Sequence, residues 1–268
     1  MSKIENKFKE LRSKNEKALI AYIMVGYPNC KSTLPIVRGL VKGGADIIEI
    51  GFPFSDPLAD GPVIQNASTV SLNKGTSIDD FFSLIQKIRK ETDIPLVLMT
   101  YTNILYHKGY AKFIFNAKRV GIDGVILPDM SIEESKEYVN AAKKYNIDTI
   151  FLVSPNTNKN RLKKIAKICS GFLYLVSMFG TTGMKTTIQQ YTINAIKNTK
   201  KVVNSKIPVG IGFGVTTPDD VKKFVSNNVD AVIVGSAFLR LIEKTPTNQL
   251  EAKVTSFTKK MKASTKAT

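Results

Sequence analysis

Eight short apolar runs divide the chain, and each is followed by a longer segment in which apolar residues recur at helical spacing. Most runs are apolar on both faces, which is typical of strands in a parallel sheet covered by helices. Amphipathic segments such as 78–91, 132–145 and 218–227 predict the crossover helices. The runs occupy residues 18–25, 46–51, 95–100, 123–127, 148–153, 172–177, 207–212 and 230–235.

Eight alternating β/α units without a break in composition predict a single (β/α)8 TIM-barrel domain over residues 1–268. An open doubly wound sheet is the alternative, but it gives no reason to stop at eight units. A charged amphipathic segment around Ile4, Phe8 and Leu11 predicts an extra N-terminal helix. The lysine-rich end, about 262–268, predicts a frayed basic tail.

Two of the units are longer than the others. Successive runs start 23 to 28 residues apart, except for 49 residues between the second and third and 35 between the sixth and seventh. Loops after the carboxyl ends of barrel strands build the active site, and long connections there often serve as lids. The sequence therefore predicts long functional loops after strands 2 and 6, at 52–75 and 178–190.

Composition restricts the chemistry that these loops could carry. The chain has one histidine, His107, and two cysteines, Cys30 and Cys169, too few for a zinc site or a disulfide scaffold. A Ser-His-Asp triad would need His107 as its base. No lysine lies within the eight runs, so a Schiff-base mechanism lacks its amine. Carboxylates, hydroxyls and backbone groups remain as candidates.

The net charge of +17 makes nucleic-acid binding an alternative to weigh. Only six of the 39 basic residues are arginine, the residue that planar phosphate recognition favours, and the lysines are spread along the whole chain. We therefore expect a solvated lysine-rich surface and no nucleic-acid partner. The first apolar run is too short to span a bilayer. The N-terminal segment contains three glutamates and almost no arginine, which does not suit a transit peptide, so we expect a cytoplasmic protein without membrane contact.

Glu49 is the first candidate catalytic residue, because it lies among isoleucines near the end of the second run. Burial would raise the pKa of a lone carboxyl group, although a glutamate at a strand end could also reach solvent. The following proline-rich loop contains Asp56 and Asp60, in dipeptides that also suit ordinary turns. A second carboxylate above the barrel mouth would allow acid and base roles to be divided.

Glycines cluster after the last three runs, at 180–183, 210–214 and 235–236. Barrels often bind phosphate through the loops after strands 7 and 8 and the N-terminus of a short helix. Tight turns alone would also explain these glycines. Their occurrence at three adjacent strand ends favours a phosphate site.

Segment 49–65, EIGFPFSDPLADGPVIQ, resembles the signature of the tryptophan synthase alpha subunit family. Further matches follow in order: TYTN at 100–103, PD at 128–129, GTTG at 180–183, GFG at 212–214 and GSA at 235–237. The resemblance covers nearly the whole chain and implies a single (β/α)8 barrel. It also implies a lyase of tryptophan biosynthesis that cleaves indole-3-glycerol phosphate to indole and glyceraldehyde 3-phosphate.

The resemblance assigns roles to individual residues. Glu49 would be the general acid and base, Asp60 would contact the indole N–H and stabilise the cationic indolenine, and Thr182 would hydrogen-bond Asp60 in the closed state. The remaining matches imply an indole pocket and a phosphate site. The indole pocket would be formed by Tyr22, Ile64, Met99, Ile126 and Tyr174. The phosphate site would be formed by Gly183, Phe213, Gly214, Gly235 and Ser236.

The resemblance further implies a partner, the beta subunit, in an αββα heterotetramer that passes indole onward. Pyridoxal phosphate would belong to that partner, and no cofactor or metal is expected in this chain. Pro53, Asp56 and Pro57 would face the partner. Segment 177–180, Ser-Met-Phe-Gly, departs from the arginine and small residues that many members carry, which leaves lid closure and coupling open.

Two other functions remain as alternatives. A different phosphate-binding barrel enzyme would act on another substrate and would not depend on Glu49 and Asp60 together. A non-catalytic barrel, kept as a partner activator, should have lost one of these two carboxylates, whereas both are present. The second alternative, a non-catalytic binding protein, could also take the form of a nucleic-acid binder, which should show steeply salt-dependent affinity.

Overall fold

The structure is a computed structural model that describes residues 1–176, 190–204, 206–212 and 214–266. Within this part of the chain, nine strands form one sheet in which every pairing is parallel. The strands are β1 (Ala18–Met24), β2 (Ile47–Gly51), β3 (Leu96–Met99), β4 (Gly124–Ile126), β5 (Asp148–Ile150), β6 (Leu152–Val153), β7 (Leu173–Val176), β8 (Val209–Gly212) and β9 (Ala231–Val234).

The predicted run 148–153 is two strands, β5 and β6, separated at Phe151. This run changes partners along its length, because β5 pairs with β4 while β6 pairs with β7. The carbonyl of Phe151 also accepts a hydrogen bond of 3.0 Å from Tyr174 N. The run therefore joins the two ends of the sheet order β5-β4-β3-β2-β1-β9-β8-β7-β6 and closes it into the predicted barrel.

Helices surround the sheet. The three crossover helices predicted at 78–91, 132–145 and 218–227 are present, and each ends within two residues of its predicted C-terminus. The middle one of the three begins at 136, four residues later than the pattern predicts. None of the helices in the described ranges is long and apolar enough to cross a membrane. Those ranges contain α1 (Lys3–Ser13), α2 (Cys30–Gly43), α3 (Pro62–Asn73), α4 (Ile78–Arg89), α5 (Thr102–Lys108), α6 (Tyr110–Val120), α7 (Lys136–Lys144), α8 (Lys159–Ile168), α9 (Gln190–Val203), α10 (Pro218–Ser226), α11 (Ser236–Glu243) and α12 (Leu250–Ala263).

The extra N-terminal helix α1 closes the amino-terminal end of the barrel. Its residues Ile4, Phe8 and Leu11 are buried in one cluster with inward-facing strand residues. The ring centroid of Phe8 lies 6.1 Å from that of Phe172 on the barrel interior. This packing leaves the opposite end, where the strands finish, as the open mouth.

Three aspartates at the amino-terminal end of the barrel, of which two are buried and one is half-buried, are paired with cations. Asp46, Asp123 and Asp230 each accept a backbone N–H from the preceding strand, at 2.7, 2.9 and 2.8 Å. Each also forms an ion pair with a distant helix, through Lys262, Arg89 and Lys200 respectively. These carboxylates thus fasten helices to the barrel at the end away from the mouth.

The prediction of a frayed tail over 262–268 is wrong for residues 262–266. Helix α12 continues to Ala263, and Thr265 is completely buried. The Lys262 Nζ lies 2.8 Å from Asp46 Oδ2 and 3.2 Å from Glu16 Oε2. The segment is held by these contacts with residues distant in sequence, which its own lysine-rich composition does not reveal; residues 267 and 268 lie outside the described part.

Candidate active site

Glu49 lies on β2, opposite Tyr22 of β1 and Val97 of β3 in the parallel register. Its side chain is 1% exposed, and its Oε2 has no hydrogen-bond partner among the described residues. Burial, and to a smaller extent the nearby charge of Asp60, raises the pKa of Glu49 to about 8. This carboxyl group therefore keeps its proton near neutral pH.

Asp60 lies at the end of the loop that follows β2, immediately before α3. Its backbone is fixed by hydrogen bonds from Asp60 N to Pro57 O, 3.0 Å, and from Gln65 Nε2 to Asp60 O, 2.9 Å. The side chain is buried, Oδ2 accepts a hydrogen bond of 3.0 Å from the Tyr101 hydroxyl, and Oδ1 has no partner in the described part. Burial raises the pKa of Asp60 to about 6, and the Tyr101 hydrogen bond opposes that rise.

The two carboxyl groups differ in protonation over a defined range of pH. Between about 6 and about 8, Asp60 is mainly ionised while Glu49 is mainly protonated. A pair of acids held in opposite states can supply a proton and a negative charge to one ligand. The site is therefore suited to protonating a substrate that becomes cationic.

Two tyrosines lie beside both carboxyl groups. Tyr22 and Tyr174 are almost fully buried, and their pKa values are raised by burial and by the charges of Glu49 and Asp60. Each hydroxyl occupies the space above a glycine of the neighbouring strand. A Cβ on Gly51 would lie 2.3 Å from the Tyr22 hydroxyl, and one on Gly212 would lie 2.2 Å from the Tyr174 hydroxyl.

This fit predicts that Gly51→Ala destabilises the fold and displaces Tyr22. We expect the free energy of unfolding to fall by about 1–3 kcal/mol, the usual effect of inserting a methyl group into a filled interior. Gly61→Ala is the control without a clash, because a Cβ there meets no described atom within 4 Å and its φ is −79°. Gly61 is the N-cap of α3, where Ala is less favourable than Gly, so we expect a loss of only about 0.5 kcal/mol. Urea unfolding of both variants checks this, and equal stabilities would contradict it.

The other residues predicted for the indole pocket are buried or half-buried, in two apolar clusters. Ile126 is fully buried in the cluster that contains Tyr174, and Met99 packs half-buried against that cluster. Ile64 lies on α3 and is half-buried against the larger cluster that includes Tyr22. Ile126 and Met99 thus pack with Tyr174, and Ile64 packs against the cluster of Tyr22.

The predicted phosphate residues that the structure describes lie at the N-terminus of α11 and after β8. Gly235 is the N-cap of α11 and Ser236 its first residue, and no side chain caps the helix. Free amides at such a helix start can receive an anion. Gly214 has φ +75° and is exposed. Thr182, Gly183 and Phe213, together with most of the predicted loop 178–190, lie outside the described residues.

The residues predicted to face a partner differ in exposure. Asp56 is exposed and Pro57 is half-buried, whereas Pro53 is buried beneath the loop. Sequence reasoning missed Leu58, whose side chain is 92% exposed at the tip of this loop. It also gave no role to Tyr101, although the residue follows β3 directly at the mouth.

Comparison with known proteins identifies the family. The model of the family described as tryptophan synthase alpha chain matches residues 8–266. The chain belongs to the tryptophan synthase alpha chain family. It is 44% identical over 242 residues to the tryptophan synthase alpha chain of Methanosarcina mazei, covering 90% of this chain and 87% of that one. It is 42% identical over 264 residues to that of Petrotoga mobilis, covering 98% and 99%.

Solved structures agree with this family. A Mycobacterium tuberculosis tryptophan synthase structure matches with a TM-score of 0.90 at 30% identity, covering 100% of this chain and 99% of that one. A chain of the Pyrococcus furiosus tryptophan synthase a2b2 complex matches with a TM-score of 0.86 at 33% identity, covering 92% and 98%. The predicted barrel and family are confirmed, and the predicted carbon–carbon lyase activity on indole-3-glycerol phosphate is the reaction of the alpha chain.

Proposed function

We propose that Glu49 and Asp60 together carry out this cleavage of indole-3-glycerol phosphate to indole and glyceraldehyde 3-phosphate. The supporting observation is the pair of buried carboxyl groups at the barrel mouth, each with one unpartnered oxygen among the described residues. Their pKa values are raised to about 8 and about 6, so that near neutral pH Glu49 is protonated and Asp60 is ionised.

Glu49 donates one proton to the substrate and recovers a different one from it. The carboxylic acid donates its proton to indole C3, which places a positive charge on the indole nitrogen. The resulting carboxylate removes the proton from the hydroxyl on the adjacent side-chain carbon. The bond from that carbon to C3 then breaks, its electrons neutralise the indolenine, and the aldehyde forms as Glu49 returns to its protonated state.

Asp60 stabilises the charge that appears between these two proton transfers. An ionised carboxylate near the indole N–H lowers the energy of the cationic indolenine, and burial of the site strengthens this interaction. The charge of Asp60 also raises the pKa of Glu49, which keeps the acid protonated before the reaction starts. Each carboxyl group therefore supports the task of the other.

The remaining residues would hold the two ends of the substrate. In this proposal the indole ring lies among Tyr22, Ile64, Met99, Ile126 and Tyr174, and Thr182 hydrogen-bonds Asp60 on closure. The uncapped start of α11 supports a phosphate site that includes Gly235 and Ser236. The other phosphate-binding residues in the proposal are Gly183, Phe213 and Gly214.

The partner in this proposal is the tryptophan synthase beta chain, in an αββα assembly that receives the indole. Pyridoxal phosphate belongs to the beta chain, and the acid–base steps above require no cofactor in this one. The exposed side chains of Asp56 and Leu58 support docking of the loop that also contains Pro53 and Pro57.

Docking would order this loop and so position Asp60. An indole-forming rate unchanged by added beta chain would contradict that coupling. The cytoplasmic location stays a prediction from the sequence.

The function is tested by measuring products. The purified chain, with beta chain present but without serine, should release indole and glyceraldehyde 3-phosphate in equal amounts. The matched substrate that lacks the phosphate group should give indole and unphosphorylated glyceraldehyde with a strongly raised KM, because the proposed phosphate site at α11 is then empty. Turnover of another phosphorylated substrate alone would indicate a different barrel enzyme, and no product would indicate a non-catalytic barrel.

A further inference from the structure

Asp60 owes its orientation to one neighbouring hydroxyl. The Tyr101 hydroxyl donates a hydrogen bond to Asp60 Oδ2 at 3.0 Å and accepts one from the backbone N–H of Ala59 at 3.1 Å. Tyr101 is 4% exposed, and both burial and the charge of Asp60 raise the pKa of its hydroxyl, so it keeps its proton. An amide that donates to this oxygen makes the O–H a stronger donor to the carboxylate.

This contact leaves the two oxygens of Asp60 in different states. Oδ2 is occupied by Tyr101, while Oδ1 is buried without a partner in the described part of the chain. A buried carboxylate oxygen that lacks a donor gains most from a ligand N–H placed against it. The tyrosine thus determines which oxygen is available to the indole nitrogen.

Tyr101 also contacts the loop that carries Asp60. Its ring stacks on Phe54 with centroids 5.0 Å apart and an interplanar angle of 21°. Both backbone groups of Phe54 bond to the hydroxyl of Ser68: Phe54 N donates to Ser68 Oγ at 3.0 Å, and Ser68 Oγ donates to Phe54 O at 2.9 Å. The ring and the hydroxyl of one residue therefore connect both ends of the loop 52–61 to the end of β3.

We propose that Tyr101 is a positioning residue for the cleavage: its hydroxyl fixes Asp60 with Oδ1 turned toward the indole N–H, and its ring joins the partner-facing loop to that carboxylate. The inference rests on the proposed function of Asp60 and extends it to a residue that does not touch the reacting atoms. Loss of the hydroxyl frees Asp60 to rotate and removes the hydrogen bond that favours its ionised form.

The test is Tyr101→Phe, which keeps the ring and its stacking, compared with Tyr138→Phe. Tyr138 is equally buried, but its hydroxyl donates to Val125 O at 2.8 Å and has no contact with Asp60. We expect kcat of Tyr101→Phe to fall about 10-fold with little change in KM, the effect of losing a hydrogen bond to a charged group. The acid limb of its pH profile should move up by about half a pH unit or more. Tyr138→Phe should keep both the native kcat and the native profile.

A second readout needs no turnover. The carboxyl group of Asp60 can be titrated by NMR in the ligand-free native chain and in Tyr101→Phe, with assignment through Asp60→Asn. A higher pKa of Asp60 in Tyr101→Phe together with the lowered kcat is the expected result. An unchanged pKa and an unchanged kcat would overturn the proposal, as would the same loss of activity in Tyr138→Phe. A native chain that releases no indole but shows the shifted pKa would instead contradict the assigned role of Asp60 in cleavage.

Discussion

Glu49→Gln lowers the kcat for indole-3-glycerol phosphate cleavage by about 10³-fold, the size of effect expected when a positioned general acid and base is removed. The amide has nearly the shape of the carboxylic acid, but it neither donates a proton to indole C3 nor accepts one from the substrate hydroxyl. Indole release with saturating substrate and beta chain measures this loss. A variant that retains more than about a tenth of the native rate would assign the proton transfers to another group.

The stability of Glu49→Gln tests the protonation state of Glu49 independently of catalysis. Because the folded-state pKa of Glu49 is raised to about 8, the folded chain binds more protons than the unfolded chain above about pH 4.5. The native free energy of unfolding therefore contains an unfavourable contribution that grows as the pH rises to about 8. Gln has no such contribution, so we expect its stability relative to the native chain to increase by roughly 3 kcal/mol from pH 5 to pH 8. A difference independent of pH would show that Glu49 is not held protonated.

Asp60→Asn lowers kcat/KM by about 10²-fold, comparable to the loss of one electrostatic group that acts on a developing charge. Asn can still accept the hydrogen bond from Tyr101, but it carries no charge to stabilise the indolenine. Asp93→Asn is the control, because Asp93 is an exposed aspartate paired with Lys3 at the other end of the barrel. Steady-state rates of both variants check this, and a fall of less than about 3-fold in Asp60→Asn would contradict the electrostatic role.

Local sequence patterns predicted the barrel because most of the apolar runs are apolar on both faces and alternate with amphipathic helical segments. They also made Glu49 a candidate, since burial among isoleucines would raise its pKa, although a glutamate at a strand end could equally reach solvent. The roles of Asp60 and of the phosphate-binding residues came from the resemblance to a family, because turn dipeptides and glycines have ordinary structural uses. The split at Phe151 could not be predicted, since it depends on which neighbours the run meets when the sheet closes.

Contacts between distant segments account for the other differences. The pairing of Lys262 with Asp46 joins residues separated by 216 positions, and composition alone made that end of the chain look free. The hydrogen bond from Tyr101 to Asp60 spans 41 positions and depends on the fold of the loop after β2. Neither contact has a periodic signal, so the structure is needed to find them.

The pH dependence of cleavage tests the central claim most directly, since that claim assigns opposite protonation states to Glu49 and Asp60. We predict a bell-shaped profile of kcat/KM, with an acid limb near pH 6 from Asp60 and a basic limb near pH 8 from Glu49. The second ionisation of the substrate phosphate, near pH 6, adds only to the acid limb. The basic limb is therefore diagnostic: activity that falls above about pH 8 supports a protonated Glu49, and activity that stays level or rises through pH 9 would contradict it.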